Sequence, residues 1–223
     1  IVLEMEESTH LCAAACMAQR PLDVLTIDSF ERKDALTDWE LRPTMAGETT
    51  TEHATDGERA LRLDYPAYVE GNEQWPAAIL SSQTDLMPAN WTNYERLLLD
   101  VYVDAETAPI LKLQINDAGK KSQGSFTVEP GQPTTLEFDL SGVGSYIDLT
   151  DLTQLHLYMT RPPHAATVYV DNIRLAAYPI SASGLRFVSD PFGTGRVSVR
   201  GSLSRPGRWR IGVVGDDDVT VSV

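Results

Sequence analysis

Along most of the chain, hydrophobic and polar residues alternate with a period of two. Leu61 and Leu63 flank Arg62, and the same alternation recurs in segments 97–103, 111–115, 136–140 and 155–159. Successive side chains of a strand point to opposite faces, so this period predicts strands with one buried and one solvated face. We expect about ten such strands between residues 23 and 178.

Turn-forming sequences separate the predicted strands. They include Asp56-Gly57, Glu70-Gly71-Asn72, Glu129-Pro130-Gly131 and the Pro162-Pro163 pair. No segment has a convincing helical period, although residues 150–153 are compatible with one helical turn. Many short strands joined by turns are typical of an all-β sandwich or barrel rather than of a parallel βαβ sheet.

The composition changes after residue 178. Residues 178–184 resemble a linker, and residues 184–223 form a basic, β-rich segment that ends in an acidic run at Asp216–Asp218. Three or four strands cannot bury a two-sided core alone. Either this segment packs on the preceding sandwich, or it begins a second β-domain that is truncated at Val223, which is the interpretation we favour.

The first 22 residues contain the two cysteines, Cys12 and Cys16. They lie in a short apolar stretch ending in Ala15-Cys16-Met17-Ala18, which resembles a signal-peptidase site. We interpret residues 1–22 as a signal-peptide remnant or a disordered terminus, although the first residues are acidic where a signal is basic. The alternative is a short helix with two buried cysteines. A processed chain would be secreted, periplasmic or on the cell surface, and it would contain no cysteine.

The charge of the chain restricts the classes of molecule that we expect it to bind. With 223 residues and a formal net charge of -14, the chain is repelled by nucleic acid and by anionic membranes. We therefore expect no nucleic acid and no membrane as partner, whereas an uncharged polysaccharide or oligosaccharide is not repelled. An acidic chain also favours divalent cations.

Three segments together resemble a known family. Ile27-Asp28-Ser29-Phe30-Glu31 opens the unit, residues 55–63 follow with Asp56-Gly57, and Val170-Asp171-Asn172-Ile173-Arg174-Leu175 closes it. Their order and spacing resemble the galactose-binding-like β-jelly-rolls of carbohydrate-binding modules, in particular family 11 modules and the N-terminal modules of some agarases and β-galactosidases. The resemblance covers residues 25–177. It implies a jelly-roll over residues 23–178 and a role as an accessory module with a downstream catalytic domain in the same polypeptide.

The resemblance also implies a structural calcium between the first and last strands. The matching positions are Glu31 and Asp171, with Asp28 as a third candidate. Calcium takes hard oxygen ligands, so carboxylates from strands distant in sequence can hold a sandwich together. The alternative is that these are ordinary turn or surface acids. The Asp216–Asp218 run is a weaker candidate, because such runs are usually solvated turns.

A carbohydrate site combines aromatic rings, which stack on sugar C–H faces, with polar groups that bind hydroxyls. The alternation places several such residues on outward faces of strands, and if those strands share one sheet they form a binding surface. Trp39, in contrast, is predicted to lie in the core. The candidate carbohydrate-binding residues are Tyr158, Trp75, Tyr102, Gln114, Asn116, His156, Arg161 and Tyr68. The outward face of any antiparallel sheet is polar, so an ordinary solvated surface is the alternative.

Catalytic signatures are missing from the sequence. There is no H-E-x-x-H or G-x-S-x-G motif, and the four histidines lack metal-ligand spacing. The sequence therefore predicts a protein that binds a glycan without acting on it. Two alternatives stay open: a structural spacer of a glycoside hydrolase that binds no sugar, and a jelly-roll polysaccharide lyase that would use His156, Tyr158, Lys112 and Arg161.

Overall fold

The computed structural model describes residues 2–4, 23–178, 182–189, 196–203, 210–213 and 219–222, with side chains described for residues 23–178. The chain divides into two units, Leu22–Ala177 and a second unit of Ile1–Pro21 with Tyr178–Val223. Of the predicted signal-peptide remnant at residues 1–22 only residues 2–4 are described, and the Asp216–Asp218 run lies outside the described residues. No described helix is long and apolar enough to cross a membrane.

The larger unit is a sandwich of two antiparallel sheets, as predicted. Sheet I has the strand order β10-β7-β12-β5-β4, and β2 also pairs with β12. Its strands are β2 (Asp23–Asp28), β4 (Ala46–Thr50), β5 (Ala60–Tyr65), β7 (Arg96–Ala105), β10 (Thr134–Asp139) and β12 (Ala166–Ala177). Sheet II has the order β3-β6-β11-β8-β9. Its strands are β3 (Trp39–Leu41), β6 (Ala77–Ser81), β8 (Ile110–Asn116), β9 (Lys121–Thr127) and β11 (Gln154–Tyr158).

The described helical structure of this unit is confined to two short 3-10 turns, at Ala35–Asp38 and Val143–Ser145. The helical turn considered at residues 150–153 does not form; Thr150 lies in a plain turn, where its backbone N–H and its hydroxyl both donate to Asp148. An Asx turn of this kind competes with helical hydrogen bonding.

One hydrophobic core fills the space between the two sheets. Alternate residues of most of the strands enter it, among them Leu61, Leu99, Leu113 and Leu157. The predicted period of two is therefore the pattern of burial. Tyr65 of sheet I also crosses the core and donates a hydrogen bond to the carbonyl oxygen of Leu157 in sheet II, over 3.1 Å.

Trp39 lies in this core, as predicted from its position. It is 4% exposed, and its indole N–H donates to the Oδ2 atom of Asp28 over 3.0 Å. Asp28 ends β2 of sheet I and Trp39 begins β3 of sheet II. This buried hydrogen bond therefore joins the two sheets where the chain first passes between them.

The second unit is described only in its backbone. Strand β1 (Val2–Glu4) pairs with β14 (Arg196–Leu203), which pairs with β13 (Ala182–Ser189), and β15 (Arg210–Val213) pairs with β16 (Val219–Ser222). The segment after residue 178 is thus β-rich, as the sequence indicates. That it begins a truncated second domain stays a prediction.

Candidate functional site

The candidate site lies on the outward face of sheet II, which we call the sheet II outer face. It consists of the positions that alternate with the core residues along the five strands. They are Glu40 of β3; Ala77, Ile79 and Ser81 of β6; Gln154, His156 and Tyr158 of β11; Ile110, Lys112, Gln114 and Asn116 of β8; and Lys121, Gln123, Ser125 and Thr127 of β9. Four of the predicted binding residues, Tyr158, Gln114, Asn116 and His156, are brought together here.

A row of amide side chains and one imidazole runs across the middle of this face. Gln114 Nε2 donates to Asn116 Oδ1 over 2.9 Å, and Asn116 Nδ2 donates to Gln154 Oε1 over 3.2 Å. His156 Nε2 lies 3.1 Å from Asn116 Nδ2 and 3.0 Å from Gln154 Oε1. The neutral imidazole can accept from Asn116 or donate to Gln154, according to its tautomer. Gln114 is 9% exposed, so the donors and acceptors that the row presents at the surface are mainly those of Asn116, Gln154 and His156.

His156 is held in its neutral form. Burial lowers its pKa most, and the positive charge of Arg42 lowers the pKa further; Glu40 raises it by less than Arg42 lowers it, and Lys121 adds a smaller lowering. A histidine whose pKa falls below its ordinary value carries little charge at neutral pH. It therefore acts as a hydrogen-bonding group rather than as a cation.

Tyr158 points outward but is not an open ring. It is 8% exposed, packs with Ala77 and Ile79, and donates from its hydroxyl to Gln123 Oε1 over 2.8 Å. The ammonium of Lys112 lies 5.7 Å from the ring centroid. Burial raises the pKa of Tyr158. Its outer surface is thus largely covered, which leaves little of the ring free for stacking.

The open aromatic ring lies at one end of the face. Trp75 precedes β6 and is 54% exposed. Beside it, the guanidinium of Arg161 donates twice to Gln74 Oε1, over 3.1 and 2.7 Å, and lies 5.5 Å from the ring centroid of Tyr68. The predicted residues Trp75, Arg161 and Tyr68 therefore form a rim at this end.

A polar groove adjoins the opposite end of the face. It has a volume of about 600 Å³ and is lined by Ser81, Asn116, Lys121 and Gln154 together with the turn at residues 117–120. The amide row therefore continues into a concave surface. The face thus has an exposed ring at one end and a groove at the other.

The structure does not bring Tyr102 to this face. Tyr102 lies on β7 of sheet I, where it pairs with Tyr169 of β12. The ring of His53 stacks on Tyr102 with centroids 3.6 Å apart and meets Tyr169 edge-on at 4.5 Å. Sheet I therefore has its own aromatic cluster, and residues of the loop at 51–59 cover it.

The same loop receives two of the three predicted metal ligands. Asp171 Oδ2 accepts hydrogen bonds from the backbone N–H groups of Thr55 and Asp56, over 2.6 and 2.8 Å. Glu31 Oε1 accepts from the backbone N–H groups of Glu58 and Arg59, over 2.8 and 2.7 Å. The first and last strands of the unit are therefore tied to one loop by carboxylates.

Gly57 makes this arrangement possible. Its φ of +78° favours glycine, and a Cβ atom there would lie 2.5 Å from the carboxyl carbon of Glu31. The carboxylate of Glu31 thus occupies the space that a side chain at residue 57 would fill. This explains the Asp56-Gly57 pair that the sequence marks as a turn.

Asp28 is placed differently from Glu31 and Asp171. It is 4% exposed; Oδ1 accepts from the backbone N–H of Phe30 over 2.9 Å, and Oδ2 accepts from Trp39. Both oxygens are therefore engaged inside the core. Within residues 23–178, no three acidic, histidine or cysteine side chains converge in a way that could hold a metal ion.

The sequence reading missed several residues of the face. Lys121, Gln123 and Ser125 belong to β9, whose inward positions include Ser122 and Gly124 and so show no hydrophobic alternation. Gln154 was missed because it is the first residue of its strand, and Gln74 because it lies in a loop. The turn sequences on both sides of β9 were the only available signal.

Comparisons with known proteins bear on the fold. No known family profile matches the chain, and no curated protein matches its sequence. Among solved structures, a family 11 carbohydrate-binding module from Clostridium thermocellum in complex with a β-1,3-1,4-mixed-linked tetrasaccharide superposes with a TM-score of 0.54. It is 14% identical, and the match covers 70% of this chain and 96% of the module.

An exo-β-agarase and a second agarase give TM-scores of 0.56 at 16% and 13% identity. The matches cover 71% and 70% of this chain but only 25% of each agarase chain. At such identities a likeness shows the fold and not the ligand. The chain thus contains a β-sandwich jelly-roll with the fold of family 11 carbohydrate-binding modules and of one part of the agarases.

Proposed function

We propose that the jelly-roll is a non-catalytic carbohydrate-binding module of a polysaccharide-degrading enzyme and binds a glycan chain on the sheet II outer face. The observation that carries this proposal is the row of Gln114, Asn116, Gln154 and His156, which leads from the middle of the face into the groove. The fold shared with carbohydrate-binding modules and with part of the agarases supports it.

The chemistry of the row suits sugar hydroxyls. Each hydroxyl both donates and accepts hydrogen bonds, and amides together with a neutral imidazole offer both kinds of partner. Trp75 adds an apolar ring face that a sugar can cover. The proposed binding is therefore hydrogen bonding along the row with stacking at the rim.

Trp75→Ala is expected to weaken binding of a polysaccharide ligand roughly tenfold, because the exposed ring is the main apolar contact that the face offers. The measurement is retention in affinity electrophoresis through gels containing β-glucan, xylan, agarose or galactan. The fold should be retained, since about half of the Trp75 side chain is exposed and it lies outside the core.

Val24→Ala is the matched control. Val24 is also an exposed apolar residue, 45% exposed, but it lies on β2 of sheet I. Its removal should leave retention unchanged. Equal loss in both variants, or wild-type mobility that no gel retards, would contradict glycan binding on the sheet II outer face.

The spacer function is the second candidate, and a specific observation favours it. Tyr158 is 8% exposed, and Tyr102 lies under His53, so neither ring is open for stacking. A module that orients a downstream catalytic domain needs no open rings. Failure of every polysaccharide to retard the protein would support the spacer over the binding module.

We also propose a structural calcium held by Glu31 and Asp171. Both carboxylates meet the loop at residues 55–59, and Gly57 leaves room for the Glu31 carboxylate. Calcium binds carboxylate and carbonyl oxygens, so the ion would link the loop to the two chain segments that contain Glu31 and Asp171. Asp28 is not included, because its oxygens accept hydrogen bonds from Phe30 and Trp39 and not from the loop.

EDTA is expected to lower the melting temperature of the calcium-loaded protein, and added calcium should restore it, since an ion that binds only the folded state stabilises that state. Glu31→Gln should abolish the difference, while Glu40→Gln, which removes a carboxylate on β3 of sheet II, should retain it. A melting temperature that EDTA leaves unchanged would refute the calcium.

The proposed setting is extracellular or periplasmic, because polysaccharides and free calcium are abundant there. The module would act within one polypeptide that also contains a catalytic domain. Its task would be to keep that domain close to its polymeric substrate.

A further inference from the structure

The charge on the sheet II outer face is opposite to the charge of the chain. The whole sequence has 32 acidic and 18 Lys and Arg residues. At the outward positions of the five strands, however, Glu40 is the only carboxylate, while Lys112 and Lys121 are cations. Arg42, directly after β3, adds a third positive charge, and its guanidinium lies 4.0 Å from the carboxylate of Glu40. The face therefore has a local surplus of positive charge.

The cations of the two sheets also differ in their partners. On sheet I, each described outward arginine forms an ion pair with at least one carboxylate: Arg62 with Glu48 and Asp64, Arg96 with Glu137 and Asp139, and Arg174 with Asp100. Among the described residues, Lys112 and Lys121 form no ion pair. Arg161 at the rim is held by the neutral Gln74 instead. Lys112 and Lys121 are thus left available for an anion, whereas Arg42 is paired with Glu40 at 4.0 Å.

The positive potential extends to the middle of the face. After burial, the largest effect of a charge on the pKa of His156 is the lowering by Arg42; Glu40 raises the pKa, and Lys121 lowers it to a smaller extent. Lys112 and Lys121 lie at opposite ends of the amide row: Lys112 is level with Ser125, and Lys121 is level with Asn116. Four residues of strand separate these two levels, or about 13 Å at the usual rise per residue. A glycan along the row would meet a cation near each end.

We infer that the glycan is an acidic polysaccharide, whose carboxylate or sulfate groups are bound by Lys112 and Lys121 while its hydroxyls bind the amide row. This inference rests on the proposed function and specifies its ligand class. The net charge of the chain does not oppose it, because screening confines electrostatics to about 8–10 Å at ordinary salt concentrations, so the nearest charges dominate.

The test uses polysaccharides that differ only in charge. Polygalacturonate is compared with its methyl ester, and a sulfated galactan is compared with the same galactan after desulfation. Binding of the full chain is measured by calorimetry and affinity electrophoresis. We expect binding to an anionic member of at least one pair, with clearly weaker binding to its neutral counterpart. The two pairs distinguish carboxylate from sulfate as the recognised group.

Three face variants sharpen the test. Lys112→Gln and Lys121→Gln should each weaken binding of the anionic member roughly two- to fivefold, the range expected for an exposed charge pair. Glu40→Gln should strengthen it by a similar factor, because it removes the only carboxylate of the face. Lys33→Gln, an exposed position between β2 and the first 3-10 turn, removes the same charge elsewhere and should have no effect.

The last part of the test measures binding at increasing salt concentration. Raising the ionic strength from about 0.01 M to about 1 M shortens the Debye length from about 30 to about 3 Å. Binding that weakens with salt and depends on Lys112 and Lys121 supports the inference. Binding of neutral and anionic members with equal affinity would refute it while the proposed function stands. Anion binding that the face variants leave unchanged would also refute it. No binding to any polysaccharide would refute the proposed function itself.

Discussion

Asp171→Ala is expected to lower the free energy of unfolding by about 3 kcal/mol. The carboxylate is 1% exposed and accepts hydrogen bonds from the backbone N–H groups of Thr55, Asp56 and Asn172 and from the Thr55 hydroxyl. Hydrogen bonds to a charged group contribute about 1.5–3 kcal/mol each, and the exposed loop can recover part of that loss from water. The change therefore acts by releasing the loop at 51–59 from sheet I.

A bulge in β12 places Asp171 for this role. Val168 and Val170 point into the core, and so do Ile173 and Leu175, so the alternation shifts by one residue between them. Asn172 takes a positive φ of 50° and donates from its amide to Asp100 Oδ2 over 3.0 Å. A bulge adds one residue and turns side chains toward a new partner. Asp171 and Asn172 thereby both serve the outer side of sheet I.

The measurement is urea unfolding in EDTA, so that no ion contributes. Asp171→Asn retains one acceptor oxygen and should be less destabilised than Asp171→Ala. Asp104→Ala is the matched control, since Asp104 is an exposed residue of neighbouring β7, and it should stay within about 0.5 kcal/mol of the wild type. Equal stability of Asp171→Ala and Asp104→Ala would show that the loop does not depend on this carboxylate.

The sequence predicts the strands themselves better than it predicts which strands lie next to each other in a sheet. Tyr102 and Tyr158 have the same local pattern, each an outward residue between core residues, yet they lie on opposite sheets. The period of two reports only which face of its own strand a side chain occupies. Which strands pair depends on contacts distant in sequence. Of the predicted surface residues, Gln114, Asn116 and His156 therefore lie on the sheet II outer face, and Tyr102 does not.

The sequence pattern also does not predict how exposed an outward side chain is. Tyr158 occupies an outward position, but its ring covers Ala77 and Ile79 and its hydroxyl reaches Gln123 across two strand spacings. A large side chain next to small ones packs onto them, because this removes apolar surface from water. The sequence shows that Ala77 is small, but not that it lies beside Tyr158. Loop residues such as His53, which covers Tyr102, were likewise beyond the reach of periodicity.

The closing segment was predictable in a finer sense. In this segment the core positions are Val168, Val170, Ile173 and Leu175, so the step from one to the next is two positions, then three, then two again. A single break in an otherwise strict alternation is the sequence pattern that a bulge produces. Asp171 keeps the outward position that Thr167 and Tyr169 also occupy, and Asn172 is the added residue at the break.

Trp39→Ala should have the second large effect, a loss of about 4 kcal/mol, because removing a buried aromatic side chain leaves a cavity in the core. It also leaves the buried Oδ2 atom of Asp28 without its indole donor. Trp39→Phe keeps most of the volume and removes the donor, so a smaller loss of about 1–3 kcal/mol is expected. Urea unfolding of both variants separates packing from the hydrogen bond.

The pH dependence of Trp39→Phe tests that hydrogen bond directly. Burial raises the pKa of Asp28, and the hydrogen bonds from Trp39 and Phe30 oppose that rise. A carboxyl whose pKa is higher in the folded state than in the unfolded state costs stability once it ionises, so this cost appears as the pH rises through the interval between the two values. Loss of the indole donor raises the folded-state pKa of Asp28 further and widens that interval.

The loss of unfolding free energy caused by Trp39→Phe should therefore be largest at neutral pH. It should shrink as the pH falls through the folded-state pKa of Asp28 in the variant toward the lower value in the wild type. In the Asp28→Asn background there is no carboxyl to titrate, and the same substitution should have a loss that does not change with pH. A pH-independent loss in the wild-type background would mean that the indole stabilises the junction of the two sheets by packing alone. The predicted coupling between Trp39 and Asp28 would instead make this pair a polar link that is strongest when the carboxylate is charged.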